Sequence, residues 1–170
     1  MTDNHLNTRV LQLEDTVAIS NAKMAFVRSV DEAVNDGRLA SAPPPPALAS
    51  LTVDVAAPLQ RSWGFSELTD LLGRVTFSLC FLGSEQIKVD DHREFAIGQW
   101  VSWHPMTVDG SAWLVAGRYR DNFHRVHGEW RLARIGFTPE ICCLWEVGWG
   151  ADRISELLAV RGLGPPSSSH

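Results

Sequence analysis

The stretch that most constrains the fold runs from Trp113 to Arg134 and reads as two long strands joined by a tight turn. Trp113, Val115, Tyr119 and Phe123 fall on one side of the first strand, with Leu114, Arg118 and Arg120 on the other. A strand needs that alternation when one face is buried and the other partly wet. His127-Gly128 supplies residues that tolerate positive φ where the chain reverses. In the return strand Trp130, Leu132 and Arg134 share a face. A long, well-patterned hairpin near the C-terminal end implies a sheet to which earlier strands are added.

Upstream, Val10 to Asn35 has a helical pattern. Leu13, Val17, Ser20, Met24, Val27, Asp31 and Val34 recur at spacings of four and three, which lines them along one stripe. Ile19, Ala22, Phe26 and Val30 widen the apolar arc, while Glu14, Asn21, Arg28 and Glu32 take the remaining side. Gly37 is the expected stop. Asp31 does not belong to this stripe by hydrophobicity. A buried carboxylate costs several kcal/mol, or is pushed toward its neutral form, unless it finds partners. At the end of the helix it has the alternative of reaching water.

Pro43 to Pro46 offers no backbone donors and reads as a stiff surface connection. Leu51 to Val55 reads as a short strand, Trp63-Gly64 as a turn, and Phe65 to Leu72 as a short helix with Ser66 as its cap. Strands are expected over Thr76 to Leu82, Gln86 to Asp90 and Glu94 to His104, with a bulge or sharp bend at Gly83. A last strand over Ile141 to Trp149 and a helix over Arg153 to Val160 follow the hairpin.

This order argues α+β: a curved antiparallel sheet with helices gathered on one face, closed by them at one end around a concave, mostly apolar cavity. A chain of 170 residues with 45% apolar content fits one domain, expected over residues 10–162 with flexible tails at 1–9 and 163–170. The formal charge is −5 and Lys or Arg never cluster, which argues against nucleic acid or an anionic membrane as partner. No apolar run approaches the roughly 18 residues of a membrane span, nor does the start carry a signal peptide's apolar region. Three cysteines, two of them adjacent, make no disulfide framework, so a cytoplasmic location is expected. Val101, Trp103 and Leu114 give the outer sheet face more apolar surface than a monomer usually exposes, which predicts a homodimer packed through the sheet.

Gly117-Arg-Tyr-Arg-Asp121 followed by Arg125-Val-His-Gly-Glu-Trp-Arg-Leu132 resembles the hairpin of the SnoaL-like group in the nuclear-transport-factor-like (cystatin-like α+β barrel) superfamily. Phe81-Leu-Gly-Ser-Glu-Gln-Ile-Lys-Val89 and Trp103-His-Pro-Met-Thr-Val-Asp-Gly-Ser-Ala112 extend the resemblance backwards, so that it spans about residues 13 to 150. It implies a cone-shaped pocket and cofactor-free acid–base chemistry on hydrophobic, often cyclic substrates: cyclisation, dehydration or isomerisation. Scytalone dehydratase, one relative, carries an Asp on the first helix and two His on the strands. Asp31 matches the Asp, with Asn35 and Asp36 as alternatives, and His104 matches one His. The second His falls at Cys80, a departure from the dehydratase pattern.

The chemistry of the pair stands without the family. His104 shares a strand face with Trp100 and Ser102, while Val101 and Trp103 point the other way. An imidazole can exchange a proton near neutral pH, and a carboxylate on its ring N–H fixes the tautomer. Asp31 and His104 are the candidate catalytic pair. Tyr119, Trp100, Ser102, Cys80 and Trp63 are candidates for lining the substrate pocket, with packing the plainer role for Tyr119 and Cys80. His124 and His127 lack a third ligand and His92 looks like an exposed turn residue, so no metal site is expected, and the resemblance implies no cofactor. Three functions remain open: a cofactor-free lyase or isomerase, a non-catalytic ligand-binding or scaffold protein, and a β-subunit-like partner of a ring-hydroxylating oxygenase. An aromatic-lined cavity with few polar groups is expected to bind a small, largely apolar molecule bearing one or two oxygens.

Overall fold

The computed structural model describes residues 2–38, 51–57 and 60–148. Helix α1 (Thr2–Asn35) leads into β1 (Thr52–Val55), β2 (Arg61–Gly64), α2 (Phe65–Leu72), β3 (Val75–Ser78), β4 (Phe81–Val89), β5 (Phe95–Val108), β6 (Ser111–Val126) and β7 (Glu129–Leu144). The Pro43–Pro46 connection, the expected helix at 153–160 and the tail at 163–170 lie outside the described residues. The architecture is α+β, with a strongly curled sheet forming a half-barrel against the N-terminal helix.

The strand order is β2-β1-β7-β6-β5-β3, and β4 also pairs with β5. Every pairing is antiparallel except β1 with β7, so the sheet is mixed. A long connection precedes β1, and a strand that arrives without a tight hairpin is free to run parallel to its neighbour. The hairpin of β6 and β7 turns through His127 (φ 51°) and Gly128 (φ 85°), the two positive-φ positions of a type I′ turn. Residues 141–144 belong to β7 itself and not to a separate strand.

Three further expectations need correcting. Trp63-Gly64 is not a turn but the end of β2, and Gly64 N–H donates to Glu67 Oε2 (3.0 Å), which caps α2 from its third residue. Arg134 does not share the face of Trp130 and Leu132. A bulge shifts the β6–β7 register between Asn122 and Phe123 and turns Arg134 outward to Asp54. Leu114 is fully buried, with Cys143 (also fully buried) opposite it, and adds nothing to the outer apolar surface. Val101 and Trp103 are exposed there.

Helix α1 starts at Thr2, eight residues before the expected start, and presents a different face from the expected one. Asp15, Ile19, Lys23, Val27 and Val34 are buried, whereas Leu13, Val17 and Met24 are exposed. A stripe with period 3.5 drifts by about 20° per heptad on a helix of 3.6 residues per turn. Over three heptads the stripe winds from the free side at Leu13 to the sheet at Val34. Ile19 joins Leu51, Val53, Trp100, Phe123 and Leu132 in the core. Burying such a side chain contributes about 1.5–3 kcal/mol. Trp100 folds back along β5 over Gly98, where a Cβ would meet the indole at 2.1 Å, so only glycine fits.

Candidate functional site

The site forms where the end of α1 meets the edge of the sheet. β3 is the last strand in the order, so backbone groups of Ser78 and Cys80 that point away from β5 have no strand to bond. Helix side chains take that role. Asn35 Nδ2 donates to Ser78 O and Asn35 Oδ1 accepts from Ser78 N–H, both at 2.9 Å. Asp31, one helical turn earlier on the same face, accepts the Cys80 N–H on Oδ2 at 2.8 Å. Of the three helix candidates Asp31 faces the sheet, Asn35 clamps the strand edge, and Asp36 is exposed beside Arg38.

His104 reaches the same point from β5. Ser78 lies opposite Met106 and Phe81 opposite Trp103, a register that brings Cys80 opposite His104. Side chains alternate along a strand, so Ser78, Cys80 and His104 all project inward. Ser78 Oγ lies 2.5 Å from Asp31 Oδ1 and 2.8 Å from His104 Nε2, while Asp31 Oδ1 and His104 Nε2 are 3.8 Å apart. The hydroxyl therefore bridges the two. It has one hydrogen, which it donates to the carboxylate, so Ser78 Oγ accepts from His104 Nε2–H. This bond count puts the imidazole lone pair on Nδ1. His104 keeps 16% and Asp31 13% of its side-chain surface open.

Burial pushes the His104 pKa below its ordinary 6.5, and the charge of Asp31 only partly offsets this. The ring is therefore neutral at neutral pH, the form a general base needs. Burial, reinforced by Asp31 and partly opposed by Lys23, pushes the Cys80 thiol up to about 12, so it is neither a thiolate nor a substitute for an imidazole. Burial, then the neighbouring Cys80, Asp121 and Asp31, push the Tyr119 hydroxyl well above 10, which keeps it a donor.

The sequence reading missed three members of this region. Ser78 is the bridge, and its only signal was its two-residue spacing from Cys80. Lys23 and Asp121 are the others, 1% and 0% exposed, with Nζ 2.7 Å from Oδ2. Lys23 Nζ also sits 3.8 Å from the centre of the Tyr119 ring and 5.6 Å from that of Trp100. Burial raises the Asp121 pKa and Lys23 opposes the rise. A lysine one helical turn after Ile19 and one before Val27 was legible as core-facing only once the helix face was known.

The remaining predicted residues stand further from the pair. Trp100 is a core residue whose Nε1–H donates to Glu85 Oε2 at 3.1 Å. Ser102 is buried and donates to Gly117 O at 3.4 Å. Trp63 is buried on β2, beneath the Arg61 guanidinium and with three strands between it and β5 in the sheet order. His124 packs edge-on against Phe95. Among the described residues, no group of three or more His, Cys, Asp or Glu side chains is placed to hold a metal ion. A groove of about 400 Å³ on the outer face, lined by Asp54, Ser62, Arg120 and Arg134, holds none of the predicted residues.

No family model and no curated protein matches the sequence. Solved structures do. A Novosphingobium aromaticivorans protein provisionally named an aromatic ring hydroxylase is 18% identical, covering 78% of this chain and 94% of its own at a TM-score of 0.63. A hexachlorocyclohexane dehydrochlorinase of the LinA type is 14% identical, with 78% and 90% covered and a TM-score of 0.60. A Salmonella enterica nuclear-transport-factor-2-like superfamily protein is 13% identical, with 75% and 92% covered and a TM-score of 0.58. With the scytalone dehydratase type also among these structures, the chain has the nuclear-transport-factor-2-like α+β cone fold.

Proposed function

We propose that this chain is a cofactor-free acid–base enzyme of the cyclase, dehydratase or isomerase type, acting on a small hydrophobic, cyclic, oxygenated substrate. One observation carries the reading: the Ser78 hydroxyl joins Asp31 and a neutral, partly open His104 in a single hydrogen-bonded chain. His104 Nδ1 takes a proton from substrate carbon, and Asp31 stabilises the resulting imidazolium through Ser78. Tyr119 donates a hydrogen bond to a substrate oxygen. Dehydratase and dehydrochlorinase among the similar structures both denote loss of H–X across adjacent carbons, which favours elimination within this class. The protein works in the cytoplasm as a homodimer, and Val101 and Trp103 on the outer sheet face support a contact there.

The test needs no substrate at first. NMR of the His104 ring across pH should show its midpoint falling further in Asp31→Asn, because the Asp31 charge that supports the imidazolium is gone. Identical curves in the two proteins would sink the catalytic reading. With a turned-over compound in hand, Asp31→Asn and His104→Gln should each cost about 10²–10⁴ in kcat. Turnover should fall as pH drops below 6.5, where the base is progressively protonated. A second reading, a non-catalytic binding protein, draws on Cys80, whose inert thiol stands where the dehydratase pattern has a second His. Tight binding of apolar oxygenated compounds without turnover, unaffected by His104→Gln, would select it. The oxygenase-partner reading rests on the likeness to the ring-hydroxylase structure alone.

A further inference from the structure

The large apolar side chains at the start of α1 stand exposed to solvent. Residues 6–14 are exposed at every position, including the large apolar ones. Leu6 is 63% exposed, Val10 46%, Leu13 66% and Val17 58%. The sheet begins to cover the helix only at Asp15, which faces the other way: at about 100° per residue, Asp15 lies roughly opposite Leu13 and Val17. A free helix of this length is marginal in water, so its apolar stripe needs a cover.

The stripe's spacing and residue types specify that cover. Leu6, Val10, Leu13 and Val17 follow one another at four, three and four residues, the a/d seam of a coiled coil. The β-branched valines fall at a and the leucines at d, the combination that favours two parallel strands. In that arrangement Arg9 of one helix stands beside Glu14 of the other, five residues on, and the pair occurs twice by symmetry. Glu14 also helps raise the pKa of Arg93 across the helix, so it is a rim charge in either state. Below the seam Ser20 Oγ turns to Glu85 (2.6 Å), which ends the free stretch.

We infer that α1 is a dimerisation arm: residues 6–17 pair with the same residues of a second copy as a short, parallel, in-register coiled coil. The contact spans about 18 Å of helix. It is separate from the contact proposed through the outer sheet face, so the two together make a dimer of dimers, and it leaves the Asp31 site uncovered. It also places the two sheets on outward sides of the helix pair, since Asp15 faces away from the seam.

Sedimentation equilibrium and oxidative cross-linking test it on the full chain. Leu13→Glu puts a charge on the seam at an exposed position, so the core should stay folded with any loss of helical circular dichroism confined to the arm, and the mass should fall by half. Trp103→Glu, on the sheet face, should not dissociate this contact. Leu13→Cys brings each thiol against its own copy only when the pair is parallel and in register. It should give an intermolecular disulfide above the background of the wild-type protein with its native cysteines. A Leu13→Glu protein with the wild-type mass overturns the inference, as does a Leu13→Cys protein that gains no covalent dimer. A wild-type chain that is monomeric at micromolar concentration also overturns it, and assigns the stripe to the chain's own residues 149–170.

Discussion

Helix α1 carries two carboxylates against the sheet, and their surroundings differ in kind. Asp15 accepts from Arg93 Nε (2.6 Å) and Nη2 (3.0 Å), from Arg125 Nη2, and from Trp130 Nε1 (3.0 Å). Those partners come from the β4–β5 turn, the end of β6 and the start of β7, so one anion ties three strand ends to the helix. Asp31 is held by a serine hydroxyl and a backbone amide, with an imidazole beyond. Burial alone would raise the Asp15 pKa, but the bonds from Arg93 and Trp130 and the charges of Arg125 and Arg93 outweigh it and the value is lowered. Guanidinium groups stay charged throughout the usable pH range, so Asp15 has no proton to exchange. Neutral donors next to an imidazole leave the second carboxylate in a chain through which a proton can pass. The lesson is that a buried acid is structural or chemical according to what holds it.

Lys23, midway between them, tests the structural extreme. Lys23→Met strands Asp121 in a dry site, and loss of one partner of a fully buried pair should cost about 3–5 kcal/mol in denaturant unfolding. Lys23→Met with Asp121→Leu should recover most of it; a double variant no more stable than the single would mean the pair is not what the charge burial suggests. Asp15→Ala should cost less, about 2–3 kcal/mol, because Arg93 and Arg125 remain 30% and 21% exposed. The His104 titration should stay as in wild type, and a shift there would collapse the distinction between the two carboxylates. Ser78→Ala should cost about 1–2 kcal/mol. Its sharper effect should be on coupling: Asp31→Asn should then move the His104 midpoint less than it does with the hydroxyl in place.

The smallest effect is on acid stability. A depressed carboxylate stabilises the fold above its unfolded value of 3.8, and the contribution is lost as pH falls through the folded value. Below pH 3.8 the wild type should therefore lose stability faster than Asp15→Asn. Parallel unfolding curves would remove the electrostatic part of the Asp15 argument. A depressed His104 works in the same direction at higher pH: its contribution is present above 6.5 and declines as pH falls.

The fold was largely legible because its signals are local. The His127-Gly128 turn and the span of α2 are decided by neighbouring residues, and they lie where the residues place them, although α2 is capped by Glu67 and the expected cap, Ser66, lies inside the helix. Short β2 was hidden because Trp63-Gly64 satisfies a turn and a strand end equally well. Face errors were of another kind. The α1 stripe was correctly spaced but assigned as a whole to the core, since spacing cannot say where along a winding stripe the sheet begins.

By itself the sequence determined the α+β class, the hairpin, the bend at Gly83 (seen as a register shift from Gly83 to Gln86) and the inward side of His104. Each follows from backbone sterics and alternation over a few residues. Only the tertiary structure decided which α1 residues meet the sheet, and so paired Lys23 with Asp121 and Asp15 with Arg93, Arg125 and Trp130. It alone made Ser78 the link between Asp31 and His104, because β3 is an edge strand whose unpaired backbone groups draw the end of the helix onto it. Such contacts join residues up to 115 positions apart, and no local pattern encodes which buried polar groups will share a partner once the core closes.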